Sequence, residues 1–395
     1  MIPSFSFARI PHIIFGAEKL NELFKIIPKF GESVLFVIGK SSLQQSGIWK
    51  SITSRLEIIP VDYSATTISR EPSPNLIDDT VAKFRDKKLD LVVGIGGGSV
   101  TDAGKAISAM LTKKDSIKNY LEGIGNKVHD GKKIPYIAIP TTSGTGSEAT
   151  KNAVISEVGP KGFKKSLRHD NLIPNIALID PQLMISCPSS ISGACGMDAF
   201  TQLLEAYVSP KGNPMTDTLA YNGMKYVSEN ILLACSTGSS DVNVRAAMAY
   251  GSLLSGITLA NAGLGIVHGL ASPIGGLFEI PHGVVCGTLL SEATKINIQM
   301  LQKQGTEGKR ALKKYAQIGA LLEGKYYLEK DIIEHYCLKL IEHLEEWIKE
   351  LKIDRLGKYG IKNGDIKKIV EKAGLKNNPV NLSKENIKNI VKNRL

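Results

Sequence analysis

The stretch LDLVVGIGGGS (89–99), continued without a break by VTDAGKAISAML (100–111), decides how this 395-residue chain reads. Aliphatic and β-branched residues end in a cluster of glycines, and helix formers follow, which predicts a strand, a tight turn and a helix. Glycines at such a junction let a pyrophosphate approach the backbone, where free N–H groups and the positive helix end meet its charge. The glycine order is not G-x-G-x-x-G, so a tight turn with no ligand is the competing reading.

Outward from this junction the pattern repeats. SVLFVIG (33–39), LEIIPVDYS (56–64), KIPYIAIP (133–140) and IPNIALIDPQLM (173–184) read as strand-like, and IDDTVAKFRDKK (77–88) as a helix. The alternation predicts a largely parallel sheet wrapped by helices. Beyond Ser186 helix-like stretches predominate. The expected architecture is an α/β Rossmann-like nucleotide-binding domain over 1–186 and an all-α domain over 187–395.

Two further loops suit a dinucleotide. Thr141-Thr142-Ser143-Gly144-Thr145-Gly146-Ser147-Glu148 follows a strand and offers small hydroxyls to a phosphate, ribose or ring. After SVLFVI come Gly39-Lys40-Ser41-Ser42, with a cation and hydroxyls but no carboxylate to repel a 2′-phosphate. That favours NADP over NAD.

GIVHGLASPIGGLFEIPHG (265–283) carries His268 and His282 in a segment almost free of ionisable side chains. A helix bearing His268, a turn through Ser272-Pro273-Ile274-Gly275-Gly276 and a second element entered at Pro281-His282-Gly283 would bring both imidazoles together. Two histidines call for a carboxylate to complete an Fe(II) or Zn(II) site. CGMDAFTQLLEAYVS (195–209) can supply Asp198, with Gln202 on the same helix face. Taken singly, each histidine reads as a satisfied core residue and Asp198 as a helix-start residue.

Composition narrows the classes. Hydrophobic content of 43% and charged content of 22% are ordinary for a globular chain, and no run approaches the ~20 apolar residues that span a bilayer. MIPSFSFARIPHIIFG lacks the features of a secretory signal, so a cytoplasmic location is expected, with no membrane partner. Five scattered cysteines form no C-x-x-C pair and read as free thiols. The net charge of +11 comes from scattered lysines without interleaved aromatics, which argues against nucleic acid. KKSLRH (164–169) gathers Lys164, Lys165, Arg168 and His169, either as a solvated basic loop or as a patch steering a phosphonate- or carboxylate-bearing ligand.

Taken together, FGAEKL (15–20), GGGSVTDAGKAI (96–107), IPTTSGTGSEAT (139–150), IDPQLM (179–184), GMDAFTQLLEAYVS (196–209), NAGLGIVHG (261–269) and PHG (281–283) resemble the iron-containing, group III alcohol dehydrogenases. These share their architecture with glycerol dehydrogenase and dehydroquinate synthase. The resemblance implies NAD(P)-dependent interconversion of alcohols and aldehydes or ketones in a metal-containing cleft, and a homo-oligomer. It implies that Gly96, Gly97, Gly98 and Ser99 meet the pyrophosphate, that Thr141, Thr142, Thr145 and Ser147 line the cofactor with Asp102 and Lys164 nearby, and that Asp198, His268 and His282 hold the metal.

Two departures fall at the reaction centre. The family's fourth ligand, a histidine, is replaced by Gln202, and a histidine near substrate and cofactor by Ser272. An amide oxygen is a weaker ligand than imidazole, and proton delivery then falls to water, cofactor hydroxyls or Ser272. A dehydroquinate synthase-like lyase and an inactive nucleotide-binding protein are the alternatives from other classes.

Overall fold

Leu91, Val92, Val93 and Ile95 are wholly buried, so the strand they form lies at the centre of its sheet with both faces covered. The computed structural model describes residues 2, 4–40, 42–325 and 332–395. Its main sheet is parallel and six-stranded, built from β1 (His12–Phe15), β2 (Ser33–Gly39), β3 (Asp62–Ile68), β4 (Leu91–Gly96), β5 (Tyr136–Pro140) and a late strand, β8 (Ile176–Ile179). The spatial order is β1-β8-β5-β4-β2-β3. Between β5 and β8 an antiparallel hairpin, β6 (Asn152–Glu157) and β7 (Phe163–Arg168), stands apart.

From β2 the chain moves outward to β3, returns to β4, and then moves the other way to β5 and β8. The reversal lies between β2 and β4, where Ile38 pairs with Ile95, so the turns after Gly39 and Gly96 open side by side. Ligands of open α/β sheets bind at such a switch point, outside the carboxyl ends of the strands.

The helices of this half are α1 (Leu23–Ile26), α2 (Ser42–Gln45), α3 (Ile48–Leu56), α4 (Pro74–Phe84) and α5 (Gly98–Met110). Successive strand residues point to opposite faces, so Leu35, Val37 and Val92 pack with Ala103 and Ile107 of α5, while Val34, Phe36, Leu91 and Val93 pack with Ile52 and Leu56 of α3. Helix α5 packs closely on the sheet. A Cβ on Gly94 would lie 2.2 Å from the Tyr136 hydroxyl oxygen and one on Gly104 2.7 Å from it, so both glycines make room for that ring.

LEIIPVDYS is not one strand. Leu56 is buried as the last residue of α3, Ile58 is exposed, and pairing begins at Asp62 and runs to Ile68. Pro60 has no N–H for a ladder bond, so the strand starts after it.

Beyond β8 the chain is helical: α6 (Ser189–Val208), α7 (Pro214–Ala234), α8 (Val242–Ala262), α9 (Ile266–Leu277), α10 (His282–Lys303), α11 (Lys309–Leu322), α12 (Ile333–Glu350), α13 (Ile366–Lys372) and α14 (Lys384–Lys392). These share one apolar core that includes Met197, Phe200, Leu203, Leu270, Leu289 and Leu340. Among the described residues no single helix is long and apolar enough to cross a membrane. The consecutive helices α8 and α9, apolar enough as a pair, meet at 101° and belong to this core.

Helix α9 contradicts the expected turn through Ser272–Gly276. It runs unbroken to Leu277 with Pro273 inside it. Its glycines are packing positions: a Cβ on Gly269 would meet the Gly374 carbonyl at 1.9 Å, and one on Gly276 the Phe163 backbone at 2.8 Å. Tertiary contact thus outweighs the low helix propensity of Gly and Pro. The real break is Phe278–Pro281, after which His282 opens α10.

Candidate active site

Asp198, Gln202 and Glu205 occupy positions i, i+4 and i+7 of α6, so they share one face, and all three are buried. That face meets the start of α9, which brings His268, and the start of α10, which brings His282. Asp198 Oδ1 lies 3.3 Å from His268 Nε2 and 3.7 Å from His282 Nε2, and it is a buried oxygen with no hydrogen-bond partner. The two rings are 5.4 Å apart, centre to centre.

The other face of His268 fixes its tautomer. Its Nδ1 lies 2.7 Å from Glu205 Oε2, while Glu205 Oε1 accepts the Val267 N–H at 2.7 Å. An ionised carboxylate only accepts, so Nδ1 donates and the Nε2 lone pair is left facing Asp198. Acceptors turned toward one another in a buried space are unfavourable unless a cation lies between them.

Cys286, one helical turn after His282 on α10, closes the group. Its Sγ lies 3.6 Å from His268 Nε2 and 3.7 Å from His282 Nε2, and donor atoms of Asp198, His268, His282 and Cys286 all lie within 4.8 Å of one another.

The electrostatics also call for positive charge. Burial opposes ionisation of Asp198, yet His282 and His268 hold its carboxyl well below the ordinary range. Burial opposes charge on His268 as well, but Cys286, Glu205 and Asp198 raise its pKa well above the usual value. Burial brings His282 down to about 4. Its place at a helix N-terminus disfavours a cation there too, so it stays neutral with a lone pair to offer. The cage takes either a proton or a metal ion, and its donors fit a divalent ion.

A cavity of about 650 Å³ joins this cage to the nucleotide end of the sheet. Gly98, Ser99, Asp102, Thr145, Ser147 and Lys164 line it on one side, and Asp198, Gln202, His268, Ser272 and His282 on the other. Gly39, Lys40, Gly96, Gly97, Thr141 and Thr142 are not part of that lining, and Ser41 lies outside the described residues. Four of these shape the turn: Thr141 N donates to Gly96 O at 3.0 Å, and a Cβ on Gly97 would lie 3.4 Å from the Thr142 side chain.

Lys105, which the sequence reading did not single out, ties the two loops together. It is 0% exposed, and its Nζ reaches Ser147 O at 2.7 Å, Ser147 Oγ at 3.0 Å, Thr150 Oγ1 at 3.1 Å and Asn152 O at 2.7 Å. Burial lowers its pKa to about 8, against the attraction of Asp102 and Glu148. Ser147 Oγ also donates to Asp102 Oδ1 at 2.5 Å, which holds Asp102 against the loop.

The two departures have definite partners. Gln202 helps to keep the Asp198 carboxyl below its ordinary range, and its Oε1 lies 3.3 Å from Ser255 Oγ. Ser272 Oγ donates to the Lys164 carbonyl at 2.8 Å, so its proton is engaged with the backbone.

KKSLRH is strand β7 rather than a loop. Its two-residue alternation turns Lys164, Ser166 and Arg168 to the cavity and leaves Lys165 out of the lining. Lys164 Nζ pairs with Glu71 Oε1 at 2.5 Å. His169 is turned to another neighbourhood, with its ring 6.4 Å from that of His129.

Glu205 and Cys286 escaped the sequence reading although both had a signal. Glu205 is seven residues after Asp198 and Cys286 four after His282, which are same-face helical spacings.

Comparison with known proteins identifies the family. The family model for the iron-containing alcohol dehydrogenases matches residues 11–181, and that for the C-terminal part of the Fe-containing alcohol dehydrogenase family matches 192–395. Long-chain-alcohol dehydrogenase 1 of Geobacillus thermodenitrificans is 33% identical over 93% of this chain and 89% of its own. Alcohol dehydrogenase 4 of Saccharomyces cerevisiae is 34% identical over 97% of this chain and 96% of its own. The solved sulfoacetaldehyde reductase of Bifidobacterium kashiwanohense, in complex with NAD+, superimposes with a TM-score of 0.84 at 25% identity, covering 99% of each chain. With both halves matched in order and relatives spanning nearly its whole length, the chain belongs to the iron-containing alcohol dehydrogenase family and is an NAD(P)-dependent oxidoreductase acting on CH–OH groups.

Proposed function

We propose that the chain reduces a small aldehyde bearing an anionic group, with NADPH as the reductant, in the cavity between the Gly98–Ser99 turn and the cage of Asp198, His268 and His282. The observation that carries the substrate class is β7: Lys164 and Arg168 line this cavity, and Lys376 joins them from the far end of the chain. Lys164 is neutralised by Glu71 within the lining, whereas Arg168, whose partner Glu122 at 3.2 Å lies outside it, Lys352 and Lys376 are the further lining cations that would meet a carboxylate, sulfonate or phosphonate. The sulfoacetaldehyde reductase relative, whose name specifies an aldehyde with a sulfonate, supports the same class.

Asp198, His268 and His282 would hold a divalent ion, which would supply Lewis-acid polarisation of a carbonyl oxygen, and a bound nicotinamide would supply the hydride. The chain's own residues do the positioning. Gly98 and Ser99 offer the N–H groups of the α5 N-terminus to the cofactor phosphates, and Thr145 and Ser147, the latter held by Lys105, line the cavity beside them. Glu205 holds the His268 ring, and Gln202 helps to keep the Asp198 carboxyl ionised. Ser272 fastens α9 to β7, so the alkoxide takes its proton from water or a cofactor hydroxyl rather than from this side chain. The division of the two domains near Ser186, between β8 and α6, makes the cavity the cleft between them.

The NADPH preference rests on Lys40. It is exposed immediately after β2, beside the glycine turn after β4, with no carboxylate between Gly39 and Ser42.

The test is a matrix of kcat/KM values for a carboxylated or sulfonated aldehyde and a neutral aldehyde of equal chain length, each with NADPH and NADH. A preference of at least ~10-fold for the anion, about what one charge-assisted hydrogen bond supplies, is expected. Equal values for both aldehydes overturn the substrate class without touching the family assignment.

A further inference from the structure

We infer that Cys286 supplies the fourth protein ligand of the metal in a chain whose family histidine is replaced by Gln202, so that the ion is held by Asp198, His268, His282 and a thiolate and is zinc rather than Fe(II). The inference rests on the metal reading of the preceding section and assigns this chain its own ligand set.

Geometry carries it. Bonds of about 2.0–2.1 Å to nitrogen or oxygen and about 2.3 Å to sulfur, opened at tetrahedral angles, require edges of about 3.3 Å between N and O and about 3.6 Å between N and S. In the cage the N···O edges are 3.3 and 3.7 Å, and the two N···S edges are 3.6 and 3.7 Å. Sulfur therefore lies at ligand separation from both imidazoles, and all four donor atoms fall within one 4.8 Å group.

Orientation agrees. Gln202, the residue at the family's histidine position, has its amide oxygen 3.3 Å from Ser255 Oγ, so the atom that would have to replace the imidazole is engaged by α8. Asp198, Gln202, His268 and His282 line the cavity, whereas Cys286 does not and is 0% exposed. The sulfur thus closes the side away from the substrate, leaving the cavity side for an incoming oxygen through five-coordination.

Ligand chemistry sets the preferred ion. A thiolate beside two imidazoles is softer than the all-N/O set of a facial triad, and a closed four-donor cage of this kind suits tetrahedral zinc. The Cys286 thiol releases its proton as the ion binds.

The experiment uses the full-length protein, stripped with a chelator under reducing conditions and reloaded with one equivalent of Co(II) or Zn(II). Wild-type Co(II) protein should show a thiolate-to-cobalt charge-transfer band in the near ultraviolet. C286A and C286S should lose that band and bind Zn(II) at least ~10-fold more weakly, the low end of the range for disturbing a metal site, with far-ultraviolet circular dichroism unchanged. C195S, altered at the thiol that lines the cavity, should keep the band. If wild type binds one equivalent of Co(II) without the band, or C286A keeps it, the thiolate assignment is wrong and the Asp-His-His site stands. If wild type takes up no ion at all, the metal reading falls with it, and NADPH-dependent reduction by the same sample shows whether hydride transfer survives.

Discussion

His268 Nδ1 lies 2.7 Å from Glu205 Oε2, and this pair decides which nitrogen of His268 faces the cage. Both Glu205 oxygens accept, one from His268 and one from the Val267 N–H at 2.7 Å. A glutamine can satisfy only one of these donors and sets its own NH2 against the other. Glu205→Gln should therefore lower Zn(II) affinity by ~10–100-fold, the usual effect of losing such a partner. Chelator competition on wild type and variant measures it. Equal affinities would mean that the tautomer is set elsewhere.

Arg168 faces the cavity from β7 without contributing to the cage. Arg168→Ala should raise KM for an anionic aldehyde by ~10-fold or more, the value of one charge-assisted contact, and leave KM for a neutral aldehyde within about twofold. A parallel rise for both aldehydes would point to a distorted cleft. Its surface partner Glu122, at 3.2 Å, is a separate matter: Glu122→Gln should change neither constant.

Lys40 offers a simpler test. Lys40→Ala should lower kcat/KM for NADPH by ~10-fold and spare NADH, because only the former has a 2′-phosphate to lose a cation. Loss with both cofactors, or with neither, removes Lys40 from the cofactor site.

Glu148 makes stability depend on pH. Burial raises its pKa from 4.5 to about 7, partly offset by Lys105 and increased by Asp102. Its folded-state pKa is thus above the unfolded value, so the folded chain binds the extra proton between these two values. The contribution is present below pH 4.5 and is lost as pH rises through about 7. It amounts to ~3 kcal/mol on the scale of 1.36 kcal/mol per unit. Glu148→Gln, always neutral, should gain Tm relative to wild type between pH 4.5 and 7.5. A pH-independent Tm difference would show that Glu148 titrates at its ordinary value.

Much of this was legible in the residues. SVLFVIG matches β2 from Ser33 to Gly39, and the run LVVGIG is β4, because strands buried on both faces read as unbroken apolar runs. The convergence of Asp198, His268 and His282 was legible as well, though by the wrong path, since the expected turn through Ser272–Gly276 is part of an unbroken helix whose glycines pack closely on neighbouring backbone. What escaped depends on tertiary neighbours. β7 reads as a basic loop because its cavity face is Lys, Ser and Arg, and the apolar alternation that marks a strand is missing. Lys105 lies in a helix that looks merely amphipathic, and only the fold shows that its ammonium is capped by four oxygens. Cys286 looks like one more scattered thiol until α9 and α10 bring two imidazoles to it.

The most direct test of the account is metal dependence at the cage. Wild type and His282→Ala are stripped of metal, assayed for NADPH binding and aldehyde reduction, and assayed again after one equivalent of Zn(II). The account predicts that stripped wild type binds NADPH but does not turn over, that Zn(II) restores turnover, and that His282→Ala binds NADPH yet is not rescued. Full turnover by the stripped wild-type protein, or rescue of His282→Ala to the wild-type level by the same single equivalent, would contradict it.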